Sequence, residues 1–170
     1  MARKAARLLV SIWDDEDFTS LPSAQQVVYL SILSSRDLSW CGVNPLLPQR
    51  FSGISSDMSE RKATAALDAL AKARFLIIDR KTAEVAVRTF VRHDEVLRSP
   101  NVSKAMGRAL GDVRSPAIRT AIKAELKRLW IEDSEANGWG AIRAAYPELF
   151  AEVTGKGSEN PSENPSVKVA

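Results

Sequence analysis

Residues 57–80 read DMSERKATAALDALAKARFLIIDR, and two periodicities meet inside them. From Ser59 to about Arg74, small and apolar residues recur at helical spacing. Ala63, Ala66, Leu67 and Leu70 share one side of the implied helix; Arg61, Ala65, Asp68 and Lys72 share the other, with Lys62 and Thr64 beside them. Ser59 stands where such a helix needs a cap for its first free amides. At Phe75 the pattern changes to a short apolar run ending at Ile78, which predicts a strand. The charged turn DRKT (79–82) and the run EVAVRTFV (84–91) then complete a β-hairpin.

Upstream, LPSAQQVVYLSILSS (21–35) predicts another helix, with Ser23 as its cap and Gln26 completing a capping box. Val27, Leu30 and Leu33 are its expected core stripe. RDLSWCGVN (36–44) reads as a turn, and NPLLPQRF (44–51) as a short helix that opens at Pro45 and is distorted by Pro48. At the beginning, RLLVSIW (7–13) alternates Leu8, Val10 and Ile12 on one face and predicts a strand. The order strand, three helices, hairpin is that of a winged helix-turn-helix, a mainly α (α+β) fold, with the hairpin as wing and the N-terminal strand beside it.

Downstream, RSPNVSKAMGRALG (98–111) and RSPAIRTAIKAELKRLW (114–130) predict two helices with the same start. Ser99 or Ser115 caps, and Pro100 or Pro116 fills the first turn. Gly111 suits the end of the first, and GWGAIRAAYPELFAEV (138–153) adds one or two short helices. The last residues repeat SENP, carry no aromatic side chain and predict disorder. The expected organisation is a winged-helix domain over 1–98, a helical extension over 99–153 for oligomerisation or partner binding, and a disordered tail over 154–170.

The pI is about 9.2 on a formal charge of only +3. Residues 50–92 hold nine Lys/Arg against five Asp/Glu and residues 98–128 eight against two; residues 129–170 reverse this with three against seven. A basic body with an acidic end points to a polyanion as partner. Cys41 is the only cysteine, so no internal disulfide can form and a reducing compartment is expected. The opening residues lack a secretory core, and no window has the length of a membrane span, so a soluble, cytoplasmic protein is expected.

The run DDEDFTSLPSAQQVVYLSIL (14–33) resembles the N-terminal domains of phage replisome organisers and replication initiators. In that family an acidic residue and an aromatic precede a leucine, a capped helix and an Ala-Gln-x-x-x-Tyr-like signature. Asp17, Phe18, Leu21, Ala24, Gln25 and Tyr29 match it here. ALDALAKARFLII (66–78) is similar to the family's Ala-Leu-x-x-Leu helix leading into a strand, and VRHDEV (91–96) sits where a histidine-bearing segment follows the wing, without the family's Trp. The resemblance covers residues 7–98. It implies DNA binding at a replication origin, with a separate C-terminal part for self-association or for recruiting a replisome or host protein.

From the winged-helix order, Arg61 and Lys62, with Ser59, Thr64 and Ala65 around them, are the candidate contacts of a recognition helix with base edges and phosphates. Arg80, Lys81 and Thr82 are the candidate wing contacts; Arg3 and Lys4, with Arg7, are a candidate basic arm. Arg119, Lys123 and Lys127 form a basic row, with Arg128 beside it, read first as a solvated helix face. His93 and Cys41 are too few for a metal site and lack the context of a nucleophile–base pair. With no phosphate-loop or dinucleotide fingerprint, no cofactor and no enzymatic role are expected. The leading expectation is sequence-specific binding of double-stranded DNA in replication initiation. A transcriptional repressor is the alternative within the class, and a protein-interaction adaptor without DNA binding is the alternative outside it; a homodimer through the apolar side of the 114–130 helix would read a palindromic site.

Overall fold

The computed structural model of the chain describes residues 6–155. It begins with a 3-10 turn at Val10–Asp14, followed by α1 (Glu16–Thr19) and α2 (Ser23–Leu33). Strand β1 (Val43–Pro45) and a second 3-10 turn (Pro48–Phe51) lead to α3 (Glu60–Lys72). The hairpin of β2 (Leu76–Asp79) and β3 (Glu84–Val87) comes next, then α4 (Phe90–His93), α5 (Pro100–Asp112), α6 (Pro116–Glu132), α7 (Gly138–Ala145) and α8 (Pro147–Thr154). The molecule is thus mostly helical, with one three-stranded antiparallel sheet in the order β1-β3-β2.

The decisive helix forms as its pattern requires. Ala63, Ala66, Leu67 and Leu70 are buried, while Arg61, Lys62, Ala65 and Asp68 are exposed. The Lys62 amide donates to Ser59 Oγ (3.3 Å), satisfying one of the free donors of the first turn. At the other end the Phe75 amide reaches back to the Leu70 carbonyl and the Arg74 amide to that of Ala71. This pair of bonds is a Schellman motif, which needs a left-handed residue at its turn. Arg74 supplies it at φ 67°, where glycine is usual.

Several expectations are corrected. RLLVSIW (7–13) is not a strand: Val10 is 84% exposed and Leu8 44%, so its alternation has no buried face to serve, and a 3-10 turn forms instead. The place beside β3 is taken by Val43–Pro45, whose buried Val43 pairs with Ala86 and Asn44 with Val85. Pro45 therefore ends an edge strand rather than opening a helix, a position that tolerates a missing amide. Gly42, at φ 81° and against Phe90, makes the turn into that strand. The second helix reduces to the 3-10 turn Pro48–Phe51.

Ser23 does not cap α2; Pro22 holds that position, and Gln26 instead donates its side-chain amide to the Phe18 carbonyl (3.1 Å). The buried face of α2 is Val28, Tyr29 and Ile32, one residue round from the expected stripe: Val27 is exposed, while Leu30 and Leu33 pack only partly. The second hairpin strand stops at Val87, and Phe90 to His93 turn into α4. In the C-terminal half, Ser115 caps α6 through the Ile118 amide (3.2 Å). Ser99 makes no side-chain cap, α5 runs one residue past Gly111, and the last stretch forms two helices, α7 and α8.

One cluster of buried side chains runs from Phe18 to Val153 and joins both halves. Arg92 on α4 binds Glu125 (2.6 Å) and Glu132 (2.6 Å) on α6, and the Trp130 ring meets Trp139 and Phe150 edge-on at 5.3 and 5.5 Å. Gly138 lets α7 approach the chain closely: a Cβ there would stand 2.7 Å from the Leu97 carbonyl oxygen. Among the described residues no helix is long and apolar enough to cross a membrane.

Candidate nucleic-acid interface

Two elements carry the expected contacts: the outer face of α3 and the tip of the β2–β3 hairpin. Along α3, Glu60, Arg61, Thr64, Ala65 and Asp68 line one shallow, open depression. Arg61 is exposed and makes no ion pair among the described residues, so its five donors are available. Lys62 is engaged: its ammonium donates to the Asp57 carbonyl (2.8 Å) and lies 3.6 Å from the Asp57 carboxylate. The Ser55 hydroxyl first, then the residue's own amide and Lys62, hold the Asp57 carboxyl below its ordinary pKa. Ser59 is exposed and serves the helix start, and Thr64 is half-buried.

The hairpin tip is held as firmly as it is charged. The Lys81 and Thr82 amides both donate to Asp79 Oδ1 (2.9 and 3.3 Å), an Asx turn, and Ala83 closes it at φ 53°. Arg80 does not point away from the protein: it binds Asp68 of α3 (2.5 Å) and so ties the hairpin to that helix. Lys81 is exposed and unpaired among the described residues. The Thr82 carbonyl accepts from the Arg114 guanidinium (2.5 Å), which brings a cation from the C-terminal half to the tip. Arg61 and Lys81 are therefore the unpaired cations here, with Glu60 and Asp68 as acidic neighbours.

Beneath the tip lies a residue the sequence reading missed. Glu84, on β3, is only 7% exposed and accepts from the Arg114 amide (3.0 Å) and the Ser115 amide (2.7 Å) at the start of α6. Burial works to raise its pKa, but the Arg114 amide, the Thr82 hydroxyl, the Ser115 amide and the Arg114 charge together outweigh it. The carboxyl ends below its ordinary value. An acid opening an apolar strand, EVAV, is the one sequence signal that it must be buried against donors.

Of the other candidates, Arg3 and Lys4 lie outside the described residues. Arg7 is drawn into an ion pair with Glu95 (2.6 Å). In the basic row of α6, Lys123 binds Glu152 of α8 (2.5 Å) and Arg128 binds Glu125 (2.8 Å), which leaves Lys127 exposed. His93 is exposed at the end of α4. Cys41 is buried and its thiol is pushed up to about 11 by that burial, so little thiolate forms at neutral pH. No group of acidic, histidine and cysteine side chains among the described residues is arranged to hold a metal ion. No protein-family model, curated protein or solved structure matches this chain.

Proposed function

We propose that the chain is a winged-helix protein that binds double-stranded DNA in a sequence-specific way, with α3 entering the major groove and the β2–β3 hairpin as the wing. Helix α2, strand β1, a short turn, α3 and then the hairpin follow in the order of that fold, and the sheet order β1-β3-β2 suits it. The observation that carries the reading is Arg61: an unpaired, exposed guanidinium in the first turn of α3, where a recognition helix meets base edges. In this reading Lys81, exposed at the hairpin tip, and Arg114, which donates to the Thr82 carbonyl there, add phosphate contacts that fix register without reading sequence.

The process is replication initiation in a phage or plasmid, acting in the cytoplasm, and it rests on the resemblance of residues 7–98 to replisome organisers. Repression of transcription needs the same groove geometry and differs in the address of the site. The adaptor reading draws on Glu60 and Asp68, which share the α3 face with Arg61 and would repel a phosphate backbone. Selection from a random duplex library, followed by titration of the enriched site across salt, separates these readings. An enriched motif with a steep salt slope is the expected result. Absence of any duplex binding would remove the DNA reading and leave the adaptor.

A further inference from the structure

A second feature lies away from the α3 face. A cleft of about 470 Å³ opens between the N-terminal segment, α2 and the start of β2. That volume falls in the range of small-molecule sites. Its floor is aromatic: Phe18, Tyr29 and Phe75 meet one another at ring-centroid distances of 5.8, 6.4 and 5.5 Å. Phe18 is fully buried and Tyr29 nearly so, and Phe75, half-buried, is the ring that reaches the cleft, with the other two packed behind it.

The polar groups around the floor are the unusual part. Tyr29 borders the cleft with its ring almost wholly buried, while its hydroxyl is not among the buried polar atoms that lack a partner and opens toward the cleft. Burial, with the Asp15 charge adding to it, pushes this phenol up to about 12, so it stays protonated and able to donate.

Arg74 and Arg88 also border the cleft, and neither makes an ion pair among the described residues. The Arg88 amide donates to the Phe75 carbonyl (3.1 Å), so the two arginines leave the backbone at neighbouring points. Arg74 is moreover the residue held at φ 67°, a conformation in which an arginine is strained relative to a glycine, and it is exposed rather than packed. Asp15 and Asp17, from the N-terminal elements, make another part of the rim acidic, which disfavours a ligand charged negatively at both ends.

We propose that this cleft binds a small planar aromatic molecule carrying one anionic group, its ring against Phe75 and the edge of Tyr29 and its anion at Arg74 and Arg88. The pairing of a guanidinium with a carboxylate or sulfonate is a charge-assisted bond, and two arginines on adjacent backbone supply the geometry for it.

The test uses the full chain and two fluorescent probes of similar ring system: 1-anilinonaphthalene-8-sulfonate, an anion, and N-phenyl-1-naphthylamine, which lacks the sulfonate. Saturable binding of the anion, tighter than that of the neutral probe, is expected. Arg74→Gly should weaken the anion by about tenfold, the loss of one charge-assisted bond, and leave the neutral probe unchanged. The same substitution should raise the melting temperature, because glycine relieves the left-handed strain, so a loss of binding cannot be laid to unfolding. Arg88→Gln should repeat the selective loss, and Tyr29→Phe should weaken the anion without changing the fold. Equal affinity for the two probes in the unaltered chain overturns the proposal. So does anion binding that survives both arginine substitutions.

Discussion

Helices α3 and α6 start in the same way and are finished differently. Each has a serine cap whose hydroxyl accepts the amide three residues on, Ser59 from Lys62 and Ser115 from Ile118. Ser115 is fully buried, and its own amide and that of Arg114 are claimed by the Glu84 carboxylate from the hairpin. Ser59 is exposed, and among the described residues no carboxylate from a distant element accepts the amides at that end; Glu60 in its first turn and the neighbouring Asp57 complement the helix dipole. A helix start that faces the interior must bring its own anion, because its donors have no water to fall back on. One that faces solvent can leave the position open.

The contrast makes the two ends respond differently to substitution. The largest effect is expected from Glu84→Ala, which leaves the Arg114 and Ser115 amides with no acceptor. Chemical denaturation should show a loss of about 3 kcal/mol, from two orphaned donors at roughly 1–3 kcal/mol each, partly relieved by water. The same residue sets an acid dependence. Its carboxyl is depressed in the folded state, so its contribution is present above the unfolded pKa, near 4.5, and fades as pH falls through the lower folded value. Melting temperature measured from pH 6 downward should fall below about 4.5 in the unaltered chain and fall less steeply in Glu84→Ala. Glu95, held at about 2 by the Arg7 side chain first and then Arg98, adds a loss of the same sign in the window between 4.5 and 2.

At the open end, Arg61→Ala should cost about 1–3 kcal/mol in affinity for the selected duplex and relax preference at one base position, with unchanged thermal stability. A drop in stability instead would mean that Arg61 braces the fold and would erase the distinction between the ends. Ser59→Ala comes next, at about 1 kcal/mol of stability, the ordinary worth of an exposed cap. Asp68→Asn is the smallest: its partner Arg80 is as exposed as it is, so unfolding should shift by about 0.5 kcal/mol or less. Under the proposed DNA reading, duplex affinity should nonetheless rise in that variant, because Arg80 is released from its ion pair and a negative charge is removed from the outer face of α3.

The parts of the fold legible in the sequence are those whose pattern is local. The α3 stripe of Ala63, Ala66, Leu67 and Leu70, the switch at Phe75 and the Ser-Pro start of α6 each specify their own element through nearest turns. Strand β1 was not legible, because three residues ending in proline carry no period; Val43 becomes a strand only when Ala86 is placed opposite it. Conversely, Leu8, Val10 and Ile12 have the period of a strand but no partner to pair with. For the candidate site, the exposure of Arg61 and Lys81 followed from helix phase and turn position. The diversion of Arg80 to Asp68 did not, since it depends on how the hairpin folds over α3. The aromatic cleft assembles residues from Arg7 to Asp94, and no window of sequence contains it.

The bond from Glu84 to the start of α6 has a consequence for how the chain is made. The carboxylate leaves the ribosome 30 and 31 residues ahead of the two amides that complete it. In the interval β3 carries an ionised group that its native place does not accept unpaired. A hairpin that closes before Arg114 and Ser115 are made does so without the two bonds that Glu84 forms with them, so the first half draws on the second for its full stability. A fragment ending before Arg114 would lack both bonds, and its hairpin should be less protected from hydrogen exchange than that of the full chain.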